Sequence, residues 1–344
     1  MTTDSYSIVD YFEQLVSIPS PTGFTRLAQE YLIAHALQNS IPYYHTRKGA
    51  VRFDFAGGNE NGKVIAFAAH VDTLGAIVRT VEGKKLKIAP VGSIPAYYAI
   101  GDYCTIHSLN GEVYYGTILP ENPSVHVNKK WSDTVIKFDD LFVRIDQCFP
   151  AEKVLSDIIP VGSYITFDPK FRFENGFVNS RFLDDKVSAA VLLALSDQLL
   201  KRKELLANVQ SVHLFFNVTE ETGQGLAGLP EKTEELIVVD MGVVGEGVTG
   251  DENHVAICLK DSSGPYHYEL TKDLIGLAKR NSIAYNTDIF PFYSSDGSAA
   301  LSAGTDIRVA LIGPGVYASH GYERTHVDAL NATFTLLCSY LEIQ

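Results

Sequence analysis

The sequence predicts an α/β fold: a mainly parallel central sheet covered by helices on both faces, with an inserted small β-barrel-like domain. Three observations predict it. The apolar runs at Val64 to Ala69, 210–218, 236–240 and 307–313 are continuous rather than alternating, as in strands buried on both faces. Segments of helical period lie among these strands, the order that builds parallel sheets. From about 75 to 167 that order stops, and short β-like runs punctuated by turn signals such as Asn110-Gly111 take its place.

The opening MTTDSYSIVDYFEQLV lacks a basic start and an apolar run, and carries Ile8, Phe12, Leu15 and Val16 at helical spacing, so it reads as an amphipathic helix rather than a leader. SIPSPTG is a turn. A second helix is expected near 24–38 with Leu27, Tyr31 and Ala34 on one face. An alternating strand follows at Val51, Phe53 and Phe55, then the buried run from Val64. After the β-rich segment a helix near 184–203 carries Val187, Val191, Ala194 and Leu195. Further helices are expected near 270–281, 294–303 and 328–340. The domains expected are therefore 1–72 with 168–344, and an insert at 73–167.

Composition narrows the function. With 344 residues, 46% hydrophobic and 20% charged, the chain can bury a sizeable core and is not a disordered segment. Its net charge of −13 argues against nucleic acid as a partner, because phosphate contacts depend on Lys and Arg. Residues 73–163 carry nine basic and ten acidic side chains, so most of the excess lies outside the insert. No apolar window reaches the roughly 20 residues needed to span a bilayer, so no membrane association is expected. The four cysteines are far apart, which fits a reducing, cytoplasmic setting.

In an open α/β sheet, functional groups collect beyond the carboxyl ends of the strands. Here the apolar strands run into His70 and Asp72, into Glu220 and Glu221, into Asp240, and into GPGVYASH ending at His320. Each has an ordinary explanation alone: a hydrogen-bonded His, a solvated Glu pair, Asp184 and Asp185 as a helix N-cap. Their coincidence on one edge points to metal-assisted hydrolysis, since His and carboxylates are common Zn²⁺ ligands. His70 and Asp72, two apart on an extended chain, face one side, so Asp72 is expected to accept the second imidazole N–H and fix the ring. One of the two glutamates can bind metal while the other stays free as a base.

The stretches AAHVDTLG, NSRFLDDKVSA, NVTEETGQGLAG, LIVVDMG and YSSDGSAALSAGTDIRVALIGPGVYASHGYERTH, in that order, resemble the successive motifs of the M42 metallo-aminopeptidases, relatives of glutamyl aminopeptidase and the tetrahedral aminopeptidases. The match runs through nearly the whole chain, and the insert resembles the β domain that the family uses in assembly. The resemblance implies two divalent metal ions per subunit, Zn²⁺ first, with Co²⁺ or Mn²⁺ also acceptable. It implies that His70, Asp184 and Asp240 bind one ion, and that Asp184, Glu221 and His320 bind the other. Glu220 would be the general base, Asp72 the group that orients His70. Short peptides are the implied substrates and a homo-oligomer, dimer or dodecamer, the implied assembly.

The sequence departs from the family in places. Lys186 stands where Arg is common. The family usually has Tyr, one residue, then His, whereas here Tyr317 is followed by Ala318, Ser319 and His320; His326 is therefore a second candidate for the last ligand. Asp296, in SSDGSAA, resembles a position near the substrate without an assignable role. Two other functions share these residues: an amide hydrolase acting on N-acyl substrates, and a non-catalytic scaffold with structural metal.

Overall fold

The computed structural model describes residues 5–130, 132–150 and 152–342, so the first four residues of the predicted amphipathic segment lie outside it. The chain divides into two compact units, Met1–Asp72 with Lys170–Gln344, and Thr73–Pro169.

The first unit is built on a 12-stranded mixed sheet. Its centre is four parallel strands in the order Ser211–Asn217, Val64–His70, Thr233–Val239 and Arg308–Tyr317. Their parallel sense sends all four carboxyl ends to one edge, with Asn217 level with His70. Antiparallel strands flank this core: Val51–Ala56 pairs with Ser211–Asn217, and Val255–Lys260 with Arg308–Tyr317. Every residue of Val64–His70 is buried, which is why the strand reads as an unbroken apolar run. On one face Ala66 and Ala68 share a core with Ala300 of helix Asp296–Ser302. On the other face Phe67 meets Tyr340 of helix Val327–Glu342, ring centroids 6.5 Å apart.

The first helix, Ser5–Ser17, buries Ile8, Phe12, Leu15 and Val16. The second, Arg26–Gln38, buries Ala28, Leu32, His35 and Ala36 rather than the expected Leu27, Tyr31 and Ala34. Both stripes carry apolar side chains, so local periodicity does not choose between them. Packing does: the His35 ring stacks on Phe53, centroids 5.8 Å apart. Helix Leu183–Lys201 is almost wholly buried, yet Asp184 and Asp185 lie outside helical φ/ψ and the peptide between them is cis. They are therefore not an N-cap pair. Gly313 lets its strand approach the exit of Thr233–Val239, because a Cβ there would lie 1.9 Å from the Asp240 carbonyl oxygen.

The second unit is a closed barrel of six strands, in order Gly75–Glu82, Lys85–Val91, Leu141–Ile145, Val113–Pro120, Tyr103–His107 and Tyr164–Phe167. Alternating inward residues such as Ala76, Val78, Leu86, Ile88, Ile106 and Ile118 fill it. Closure satisfies the strand edges within a unit too small for a second sheet. No helix among the described residues is long and apolar enough to cross a membrane.

Candidate metal centre

Two groups of side chains at the carboxyl edge are spaced to hold a cation: His70, Asp184 and Asp240, and Asp184, Glu221 and His320, each with ligand atoms within 4.8 Å of one another. Asp184 belongs to both. Its Oδ1 is 3.1 Å from His70 Nε2 and its Oδ2 is 3.5 Å from His320 Nε2, so one carboxylate faces the two imidazoles with opposite oxygens. Glu221 Oε2 lies 3.6 Å from His320 Nε2.

His70 Nδ1 is 3.0 Å from the Asp72 carbonyl oxygen. A carbonyl can only accept, so Nδ1 carries a hydrogen, and Nε2 is the ring nitrogen that faces the ligand group. The Asp72 carboxylate is farther from Nδ1, at 3.5 Å. Main chain and carboxylate of Asp72 thus both stand on the Nδ1 side of the ring, the main chain nearer. That carboxylate also accepts the backbone N–H groups of Glu220 and Glu221 and the Thr22 hydroxyl.

His326 lies outside both groups. Its ring packs on Phe177 at 4.8 Å between centroids, and its Nδ1 is 3.2 Å from Asp328. His320, at φ +62°, is held by its N–H to Glu323 Oε1 at 2.9 Å. Glu220 Oε2 stands 3.7 Å from His70 Nε2, outside the two ligand groups and beside a cavity of about 270 Å³.

The electrostatics mark this as a place for cations. Burial pushes the Asp240 carboxyl up to about 7, with the Asp184 charge acting the same way. Burial also raises Glu221 well above the ordinary range, again with Asp184. Asp184 goes the other way: burial opposes its charge, but His320 and His70 outweigh it and hold it well below the carboxylate range. Glu221 Oε1 and Asp185 Oδ1 are buried without a hydrogen-bond partner. Buried carboxylates in excess of the nearby imidazoles are stabilised by bound cations, so this donor set fits divalent metal.

The sequence profile of the M42 glutamyl aminopeptidases matches residues 49–336. The chain belongs to the M42 family. As an M42 aminopeptidase it is a peptide hydrolase of a metal-dependent family. It is 38% identical to the putative aminopeptidase YhfE of Bacillus subtilis, over 97% of each chain. Its fold is that of a TET aminopeptidase from a marine sediment Thaumarchaeota archaeon, with TM-score 0.87, 17% identity and 99% and 97% coverage of the two chains. The Pyrococcus horikoshii TET1 peptidase, described as assembling into a tetrahedron or a large octahedral shell, superposes with TM-score 0.83 at 20% identity, covering 97% of this chain and 98% of that one.

Three residues of this M42 chain escape a reading by strand exits. Glu323 is buried and accepts the N–H groups of both Asp184 and His320, tying the shared carboxylate to the last histidine. Burial pushes its carboxyl up to about 8. Asp185 accepts the His70 N–H at 3.1 Å. Lys186 is buried and donates to the carbonyls of Leu15 and Ile18 at the end of the first helix. Only the adjacency of Glu323 to the GPGVYASH stretch offered a signal. Asp296 is buried, accepts from Asn217 Nδ2 at 2.6 Å and lies close enough to raise the Glu220 carboxyl.

Proposed function

We propose that this protein is a two-metal aminopeptidase removing the N-terminal residue of short peptides. The observation that carries the reading is that Asp184 is shared by two ligand triads while Glu220, outside both, stands beside them. His70, Asp184 and Asp240 would hold one ion, and Asp184, Glu221 and His320 the other. Bound divalent ions supply Lewis-acid polarisation of the scissile carbonyl and lower the pKa of a water; Zn²⁺ suits the donors best, with Co²⁺ and Mn²⁺ also accepted.

Glu220 takes the proton of the attacking water and delivers it to the leaving amine. Burial raises its carboxyl well above the ordinary range; Asp240 and Asp296 reinforce this against the opposing charge of His70. The Asp72 carboxylate holds the backbone of Glu220 and Glu221 in place. The barrel unit serves assembly into a homo-oligomer, in keeping with the shells of the P. horikoshii protein. The thiols of Cys104, Cys148, Cys258 and Cys338 are unpaired, which supports a cytoplasmic setting.

Aminoacyl arylamides test the reading. Glu220→Gln is expected to keep its metal and lose about 10²–10⁴-fold in kcat. Undiminished turnover would remove Glu220 as the base. Preference for an acetylated over a free-amine arylamide would replace the aminopeptidase with an N-acyl amide hydrolase.

A further inference from the structure

A second group of chemistry-bearing side chains lies at the end of the sheet opposite the metal centre. Ser211 opens the strand Ser211–Asn217 and His213 follows it by two, so both side chains stand on one face. Antiparallel pairing with Val51–Ala56 sets Asp54 directly across from His213. His213 Nδ1 is 2.6 Å from Asp54 Oδ1, and Ser211 Oγ is 2.9 Å from His213 Nε2. A spacing of two and one cross-strand register thus build a Ser–His–Asp triad. Ser211 is level with Val64, whereas Asn217 is level with His70, so about 20 Å of strand separates the triad from the metal centre.

A carboxylate only accepts, so the contact with Asp54 requires a hydrogen on His213 Nδ1. In the neutral ring Nε2 then carries a lone pair, and the Ser211 hydroxyl donates to it. The serine proton therefore lies against a base that a third group orients, which is the arrangement of an activated hydroxyl nucleophile. Asp54 is itself fixed, because Arg52 Nε and Nη2 bond its two oxygens at 2.6 and 3.0 Å. His213 is buried while Ser211 is partly exposed, so a reagent reaches the hydroxyl and packing holds the base behind it.

We propose that Ser211 is an acylation site, a nucleophile that takes the acyl group of small activated esters independently of the metal centre. Ser211 Oγ bonds to the ester carbonyl carbon and its proton passes to His213 Nε2. The bond from that carbon to the leaving oxygen breaks, and the leaving alcohol or phenol takes the proton back from Nε2. The N–H groups of Gly57 and Asn59, beside the start of the strand, already bond the carbonyls of Gln210 and Val209 at 2.9 and 3.2 Å. They supply no oxyanion site, so the acyl group stays on Ser211 rather than turning over rapidly.

The test is a time course with 4-nitrophenyl acetate on the full-length protein, the acetyl group being located by peptide mass spectrometry. Acetyl on Ser211 is expected, forming at the same rate with and without chelator. His213→Gln is expected to slow it about 100-fold. Asp54→Asn, which releases the ring to its other tautomer, is expected to slow it about tenfold. Circular dichroism checks that each variant is folded, and if His213→Gln is not, Asp54→Asn decides. A Ser211 that stays unmodified in the parent protein overturns the inference, as does a rate that Asp54→Asn leaves unchanged. Loss of the acetylation with chelator also overturns it, by assigning the reaction to the metal centre.

Discussion

Asp72 Oδ1 accepts the backbone N–H of Glu220 at 3.2 Å, which ties the residue proposed as base to the strand exit that carries His70. Asp72 Oδ2 does the same for Glu221 at 3.3 Å and is itself held by Thr22 at 2.6 Å. One buried carboxylate thus places a proposed base and a proposed ligand. Asp72→Ala is expected to lower kcat on an arylamide by about 10–100-fold and to loosen metal, read by activity against metal content. Thr22→Val removes only one of the three donors and is expected to cost much less. Equal losses in the two variants would mean that the carboxylate does not act through Glu220 and Glu221.

Metal stoichiometry separates the shared ligand from the others. Because Asp184 belongs to both groups, Asp184→Ala is expected to lose two ions per chain. His320→Ala is expected to lose one, and His326→Ala neither, since His326 is held by Phe177 and Asp328. Elemental analysis after gel filtration reads all three. Loss of metal in His326→Ala matching that in His320→Ala would undo the assignment of the last ligand.

Lys186 tests a structural role close to the centre. Its buried amino group donates to the Leu15 and Ile18 carbonyls at 2.9 and 2.6 Å; the Leu15 carbonyl also accepts the Ile18 N–H at 3.1 Å. Lys186→Ala removes both side-chain hydrogen bonds and opens a cavity, at a cost of about 2–4 kcal/mol. Urea unfolding measures it, and a change within about 0.5 kcal/mol would show that the contact contributes little.

The pH dependence of stability has one contribution remote from the metal centre. Asp54 Oδ1 is 2.6 Å from both His213 Nδ1 and Arg52 Nε. Burial alone would raise its pKa, but the hydrogen bonds from His213 and Arg52 prevail and hold it below the ordinary value. A carboxyl lowered on folding stabilises the protein above its unfolded pKa of about 3.9, and that contribution disappears as pH falls through the folded value. Asp54→Asn is expected to be less stable than the parent by about 1 kcal/mol near pH 6. The gap should close as pH falls below the folded value; a gap that persists in acid would rule out the ionised carboxylate as its source.

The carboxyl-edge site was legible in outline because continuous apolar runs mark doubly buried strands, and parallel strands share one exit edge. That reasoning by itself pointed to His70, Asp72, Glu220, Glu221, Asp240 and His320. Asp184 was harder to read, since an Asp pair before an apolar helical stretch looks like an N-cap and the backbone there is not helical. The second helix was placed within two residues but with the wrong face inward, because two adjacent stripes were both apolar enough to bury.

The sequence by itself determined which residue types leave the buried strands, and where the β-rich insert interrupts the larger unit, because periodicity of 2 or 3.6 and turn chemistry are local. Tertiary structure alone decided that His320 rather than His326 joins Asp184, and that the Asp72 carboxylate also accepts the N–H groups of Glu220 and Glu221. It also placed Glu323 under two site backbones and turned the Ser298 hydroxyl toward Asp261. Each of these depends on which oxygen or ring nitrogen faces which neighbour. Strand order and side-chain packing set that orientation between residues up to 149 positions apart, as in the Asp72 to Glu221 contact.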